Sequence, residues 1–341
     1  MRSLRRLGPA WGLVALGLWA CGSLSSSSPT PLPTPTPAPS PKVAIISIDG
    51  LRPDALVQAA APTIQGLARR GAYTFQAQTV LPSATLPGHA SMLSGYEPSV
   101  HRLTWGDYKP EKGTITVPTI FTIAREAGLR TAMVIGKDKL AHLNAPGTVD
   151  RYVLTAAGDA AVANEAVVQA AAGFDLLFVH FPQTDYAGHG KGWMSATYLQ
   201  QIAETDQAVS RVLLALPPET TVILTADHGG YGTTHGSSAP LETTIPWIIV
   251  GPRIPARGQL SAAIRTTDTA ATALYVLGLS LRSGATGKPA TEAFGEQAAQ
   301  TTGGMRTLLA ATESPTLLPG PAGLEPPATR PERSRERRQA P

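Results

Sequence analysis

Short apolar runs recur along the chain, each separated from the next by a stretch with helical spacing. VAIISI (43–48), TAMVI (131–135), LLFVHF (core from Leu177, ending at Phe181), TVILTA (221–226) and IPWIIV (245–250) read as strands buried on both faces. Between them, helical patterns cover 61–70, closed by Gly71, and 119–127, stopped by Gly128. Further helices are expected over 164–172, 198–216 and 268–277. Strands alternating with helices predict an α/β fold, with a mostly parallel central sheet and helices on both faces. In such sheets the site lies at the carboxyl ends of the strands. Asp49 directly follows the first run, Asp185 follows the run ending at Phe181, and Asp227 and His228 follow the run ending at Ala226. Three sets of ligand-type side chains are therefore expected on one edge of one sheet. No internal repeat is visible.

The two ends are built differently from the body. Arg2, Arg5 and Arg6 precede an apolar run over 9–20 that is too short to span a bilayer comfortably. Cys21, the only cysteine, follows Ala20 and precedes Gly22. This resembles a bacterial lipoprotein signal, which implies a signal peptide over 1–20, a lipid anchor at Cys21, and an exported protein of the cell envelope. The same residues also fit an ordinary cleaved signal or an uncleaved anchor. A single cysteine allows no internal disulfide. Residues 21–41 are rich in Ser, Thr and Pro and are expected to form an extended tether. From 313 to 341 the chain is Pro-rich and then Arg-rich, which predicts a disordered tail. That leaves 42–312 as the expected folded domain, which would carry any catalytic site. The formal charge of +4 comes from the ends, since residues 21–312 carry 20 basic and 20 acidic side chains. A neutral body gives no basic face for nucleic acid.

The chemistry concentrates in DYAGH (185–189) and DHGGYGTTH (227–235). Asp185 and His189 are four apart, so one turn of chain can point both at one ion, and His235 can complete that site from the next loop. Asp227 and His228 sit together on a loop, and Asp49 adds a carboxylate. Two divalent ions about 4 Å apart stabilise the attacking and leaving oxygens of an in-line displacement. Zinc suits such oxygen and nitrogen ligands, and so do manganese and iron. Thr85 lies in LPSATLPGHASMLSG, where Pro87 fits the first turn of a helix running to about Leu93. On its own Thr85 reads as a helix N-cap. Beside two metal clusters it reads as a nucleophile, activated by coordination.

These segments together resemble the alkaline phosphatase superfamily, in its type I phosphodiesterase/nucleotide pyrophosphatase branch. The matching stretches are SIDGLRPD, PSATLPGHASMLSGYEPSVH, QTDYAGHGKG, TADHGGYGTTHG and IPWIIVGPRI, with GKPATEAF near the end. The resemblance implies that Asp49, Thr85, Asp227 and His228 surround one zinc and that Asp185, His189 and His235 hold the other. It also implies a phosphothreonine at Thr85, resolved by metal-bound water. The small-molecule substrate would then be a phosphate ester, more readily a diester or nucleotide pyrophosphate. Two positions depart from the family pattern. Gly106 stands where an asparagine that binds a phosphoryl oxygen is expected, and Gly88 replaces an asparagine within the nucleophile motif.

Lys137 and Lys139 follow the strand over 131–135, so they read either as solvated loop lysines or as a grip on a dianionic phosphate. The second reading keeps a phosphomonoesterase open as an alternative. Trp105, Tyr108, Tyr186 and Trp193 flank the motifs, as stacking partners for a leaving group or as packing residues. His89 and His101 read as structural hydrogen-bonders, while His142 and His180 lack ligand spacing. A sulfatase is disfavoured because Thr85 is not a convertible cysteine or serine. A cofactor-independent phosphoglycerate mutase is disfavoured because no large inserted domain separates the motifs. The alternative from another class is a metal-stabilised surface binding protein without catalysis.

Overall fold

The computed structural model describes residues 40–295. The expected signal peptide, Cys21, nearly all of the tether and the whole tail lie outside the described residues. Eight strands form one sheet: β1 (Lys42–Ile48), β2 (Ala72–Gln78), β3 (Thr131–Ile135), β4 (Arg151–Leu154), β5 (Leu176–Phe181), β6 (Thr220–Thr225), β7 (Thr244–Val250) and β8 (Gly258–Gln259). Their spatial order is β4-β3-β5-β1-β6-β7-β2-β8. The helices, in chain order, are α1 (Pro53–Gln58), α2 (Pro62–Arg70), α3 (Thr85–Ser94), α4 (Pro98–His101), α5 (Ile120–Glu126), α6 (Asp159–Ala171), α7 (Gln183–Lys191), α8 (Ala196–Ala215), α9 (Pro240–Thr243) and α10 (Thr266–Val276).

Every strand expected from the sequence is present, and the sheet is mostly parallel. The central strands β1, β5 and β6 are buried along almost their whole length, which is why their sequences are unbroken apolar runs rather than alternating ones. Residues 245–250 form a strand as expected, but β7 runs antiparallel to β6 and to β2. Three strands were not legible as apolar runs. β4 has four residues and β8 two, both at sheet edges, and β2 (AYTFQAQ) interleaves Thr and Gln with its apolar residues. β2 matters most of the three. Two antiparallel steps, from β6 to β7 and from β7 to β2, restore the direction of β1. The carboxyl end of β2 therefore faces the same edge as that of β1, and the following loop delivers Thr85 there.

The helices form two groups that pack among themselves. α1, α2, α6 and α7 gather around α8, and α3 and α5 pack against α10. The first group covers one face of the sheet and the second the other. Helix boundaries agree with the sequence pattern to within a few residues. The largest difference is α6, which starts at Asp159 rather than 164 and has a buried first residue. All ten residues of α3 are buried, so the helix that carries Thr85 is a core element. Among the described residues no helix is long and apolar enough to cross a membrane.

Candidate metal centre

Register places the candidate ligands side by side. Ile48 pairs with Phe181, and Ser47 with Thr225. The three strands thus end together, and Asp49, Asp185 and Asp227 emerge at one edge. Asp185 and His189 both lie on α7, one turn apart, and so share a helix face. Thr85 is the first residue of α3, whose opening N–H groups have no partner within the helix.

All seven residues expected from the sequence meet here. Thr85 Oγ1 lies 3.5 Å from His228 Nε2. The same nitrogen is 3.4 Å from Asp49 Oδ1 and 3.3 Å from Asp227 Oδ2. Asp185 Oδ1 is 3.4 Å from His189 Nε2 and 3.6 Å from His235 Nε2. Ligand atoms of Asp185, His189 and His235 fall within 4.8 Å of one another, and so do those of Asp49, Asp185 and His228.

The carboxylates show why this is a place for cations. Each has one oxygen anchored and one left over. Asp49 Oδ2 is held by His180 at 2.9 Å and by Lys137 at 2.8 Å. Asp185 Oδ2 is held by Lys137 at 2.5 Å, and Asp227 Oδ1 by the Gly50 N–H at 3.1 Å. Asp49 Oδ1, Asp185 Oδ1 and Asp227 Oδ2 are buried with no hydrogen-bond partner. These orphaned oxygens are the same ones that face the imidazole nitrogens at 3.3–3.6 Å. Buried carboxylate oxygens are costly without a proton or cation to meet them. The residues therefore fit divalent ions, with one monodentate oxygen from each carboxylate.

The histidines divide on the same principle. His189 Nδ1 bonds Thr233 O at 2.9 Å, His228 Nδ1 bonds Gly229 O at 2.7 Å, and His235 Nδ1 bonds Ser83 O at 2.9 Å. A backbone carbonyl at Nδ1 fixes the hydrogen there and leaves Nε2 to face inward, the usual support for a metal ligand. The other four described histidines use both nitrogens in the fold. His89 bonds Thr85 O and Ser47 Oγ, and His101 bonds Ser91 Oγ and the Leu103 N–H. His142 bonds Gly113 O and the Lys109 N–H. His180 accepts the Gly136 N–H at Nδ1, so Nε2 carries the hydrogen donated to Asp49. His180 is thus a positioning residue that sequence spacing missed. Its only signal was a polar residue inside an otherwise apolar strand.

Charge in the metal-free cluster is strongly redistributed. Burial would raise Asp49, yet Lys137, His180 and His228 hold its carboxyl well below the usual range. Burial and the neighbouring Asp49 charge push Asp227 up. Burial would lower His228, but Asp227 and Asp49 raise it to about 9. Burial and the His228 charge lower His235 to about 4, leaving its Nε2 lone pair free at neutral pH. A metal arriving at His228 must displace a proton.

Lys137 is not a solvated loop lysine. It is buried, and its ammonium bridges Asp49 and Asp185. Burial would lower it, but those two carboxylates outweigh burial and hold its pKa up. Lys139 is half-buried on the following turn, and its backbone N–H bonds Asp138. Trp193 packs inside rather than on a rim. Its Nε1 donates to Gly50 O at 2.8 Å, and its ring fills the space beside Gly188 and Gly230. Trp105 is half-buried, edge-on to His142 with Lys112 over its ring. Tyr108 and Tyr186 are exposed, and the Lys137 ammonium lies 4.9 Å from the Tyr186 ring centre. Gly106 is exposed with open space where a Cβ would stand. Gly88 is the reverse, since a Cβ there would meet Asp227 O at 2.8 Å. The larger side chain of the family pattern is excluded by how closely α3 approaches the Asp227 loop.

The chain is similar in sequence and in fold to several known proteins. Residues 43–246 match the family described as type I phosphodiesterase / nucleotide pyrophosphatase. The chain is 25% identical over 262 residues to human GPI ethanolamine phosphate transferase 2, catalytic subunit, across 70% of this chain and 26% of that one. It therefore spans about a quarter of that relative's length. Among solved structures, a 2-O GAG sulfatase aligns with TM-score 0.66 at 17% identity, covering 77% of this chain and 76% of that one. Murine ectonucleotide pyrophosphatase / phosphodiesterase 5, as an inactive variant with AMP, aligns with TM-score 0.63 at 13% identity, covering 74% and 98%. The phosphonate monoester hydrolase of Silicibacter pomeroyi gives TM-score 0.60 at 15% identity, covering 77% and 78%. These structures share the fold. With the family match covering more than half of its length, the chain belongs to the type I phosphodiesterase / nucleotide pyrophosphatase family.

Proposed function

We propose that this phosphoesterase-family protein hydrolyses small phosphodiesters or nucleotide pyrophosphates, with Thr85 as nucleophile and two divalent ions, zinc by preference, as cofactors. The observation that carries the reading is the convergence of three orphaned carboxylate oxygens and three inward Nε2 atoms at one edge of the sheet, with the Thr85 hydroxyl 3.5 Å from one of them, His228 Nε2. Asp49, Asp227 and His228 would hold one ion beside Thr85, and Asp185, His189 and His235 the other. When bound, such ions supply Lewis-acid activation of a hydroxyl or water and neutralise charge on phosphoryl oxygens.

The chain's own groups do the rest. The free N–H groups opening α3 favour an anionic phosphoryl group beside Thr85. The Thr85 oxygen attacks phosphorus, the leaving-group oxygen departs with the ester bond's electrons, and water later cleaves the phosphothreonine. Lys139 and Trp105 are candidate contacts for the rest of the substrate. The test is hydrolysis of bis-p-nitrophenyl phosphate and p-nitrophenyl phosphate by zinc-loaded protein, with Thr85→Ala as blank. Faster diester turnover that vanishes in the variant is expected and should be lost on chelation. Turnover that survives complete chelation sinks the reading, and faster monoester turnover shifts it to a phosphomonoesterase. The cell-envelope location through Cys21 is also our proposal. Cys21→Ala should release the protein from the membrane fraction, and an unchanged distribution refutes the anchor.

A further inference from the structure

Three buried carboxylates within one cluster need positive charge even before any metal arrives. Asp49, Asp185 and Asp227 are at most 2% exposed. Among the described residues, Lys137 is the one lysine or arginine within ion-pair distance of any of them. Its Nζ sits 2.8 Å from Asp49 Oδ2 and 2.5 Å from Asp185 Oδ2. In the two-metal assignment these carboxylates belong to different ions, so one ammonium ties the two ligand groups together.

Its delivery is built into the backbone. Gly136 donates its N–H to His180, the other residue that holds Asp49 Oδ2. A Cβ at Gly136 would meet Pro182 at 2.4 Å, so β3 and β5 end in tight contact. Lys137 then caps the 3₁₀ turn Asp138–Leu143 with extended backbone. The exposed Tyr186 ring covers the ammonium from the solvent side. Both carboxylate oxygens that it touches are the anchored ones, so the orphaned pair still faces the imidazoles.

We propose that Lys137 is a resident counter-cation: it holds Asp49 and Asp185 together in the metal-free protein and, being a fixed positive charge beside both ion positions, limits how tightly metal binds. This rests on the two-metal reading above. The physical argument is a thermodynamic cycle. Removing Lys137 leaves buried like charges unneutralised, which costs the metal-free state heavily. The loaded state loses less, because bound cations neutralise the same oxygens. Whatever destabilises the free form more than the bound form must tighten binding. A residue that merely shapes the site gives the opposite sign, since its loss loosens binding. A side chain that only grips substrate changes neither quantity.

The test compares wild type, Lys137→Met and Lys139→Met as full-length chains, by thermal denaturation after chelation and by zinc titration in a chelator buffer. Lys137→Met should lower the metal-free Tm by roughly 5 °C or more. It should also raise apparent zinc affinity by roughly tenfold or more, as expected for losing a unit charge a few ångströms away. Lys139→Met should change neither. Lys137→Gln, which keeps polar donors but drops the charge, should reproduce the affinity gain if Lys137→Met does not fold. An unchanged metal-free Tm overturns the proposal. A lower Tm with weaker zinc binding overturns the competition and leaves a structural strut. A flat titration of wild type itself refutes the metal reading, and the competition with it, which separates the two failures.

Discussion

Replacing Gly88 with alanine probes a close approach between α3, which carries Thr85, and the loop that carries Asp227. The added methyl would lie 2.8 Å from Asp227 O and 3.1 Å from Asp227 Cβ. Relief to an ordinary carbon–oxygen contact of about 3.3 Å requires a shift of about 0.5 Å. Neither side yields freely. Every residue of α3 is buried, and the helix packs against α10. Asp227 is pinned twice, by Thr79 Oγ1 on its carbonyl at 2.5 Å and by the Gly50 N–H on Oδ1 at 3.1 Å. Overpacking of this kind costs about 1–3 kcal/mol. Against it stands a gain of about 0.5–1 kcal/mol for replacing glycine within a helix. The net stability loss is therefore about 0–2.5 kcal/mol, and Tm alone decides little. Function decides more, because a shift of about half an ångström in Asp227 reaches the limit within which a catalytic constellation works. Turnover of bis-p-nitrophenyl phosphate should fall by roughly tenfold or more. The control is Gly66→Ala in α2, where the methyl meets only the far ends of two long side chains, Arg70 at 3.1 Å and Arg69 at 3.7 Å. That variant should be slightly stabilised with unchanged turnover. Gly88→Ala protein that matches Gly66→Ala in both Tm and turnover would refute the steric argument.

Two further outcomes follow from groups around the centre. His180→Phe keeps an aromatic ring but removes the 2.9 Å bond to Asp49 Oδ2 and the acceptor of the Gly136 N–H, so apparent zinc affinity should drop by about 10–100-fold, and unchanged affinity in a chelator-buffered titration would contradict its positioning role. Asp159, at the start of α6, is raised from 3.8 to about 6 by burial, against bonds from Thr205 and the Gln183 N–H. A carboxyl whose folded pKa is raised contributes stability below its unfolded value and loses it as pH climbs through about 6. The interval corresponds to about 3 kcal/mol. Asp159→Asn should therefore gain on wild type by up to that amount between pH 4 and pH 7 in urea denaturation, and a constant difference across that range would count against the assignment.

The sheet was legible because its central strands are buried on both faces and must be apolar throughout. The ligand positions followed, because carboxylates placed just after such runs emerge at one edge. β2 escaped because one of its faces carries Gln and Thr, although it is the strand that brings Thr85 to that edge. The antiparallel course of β7 escaped as well, since an apolar run has no direction. Lys137 escaped for a different reason. A lysine after a strand looks the same in sequence whether it points to water or into a carboxylate pair, and only the fold, which buries Lys137 between Asp49 and Asp185, settles which. The histidines make the general point. Spacing picks out His189, His228 and His235 as candidate ligands, and the structural property that sets them apart is an Nε2 that faces the carboxylates while a backbone carbonyl holds Nδ1. His89 and His142 also bond carbonyls at Nδ1 but spend Nε2 on the fold. The carbonyls at the three candidate ligands belong to Thr233, Gly229 and Ser83, so two of the tautomers are set from the loop after β6 and the third from the loop before α3. A residue type at the right spacing is therefore necessary for this chemistry. What makes it available is a fold that engages Nδ1 and leaves Nε2 facing the carboxylates.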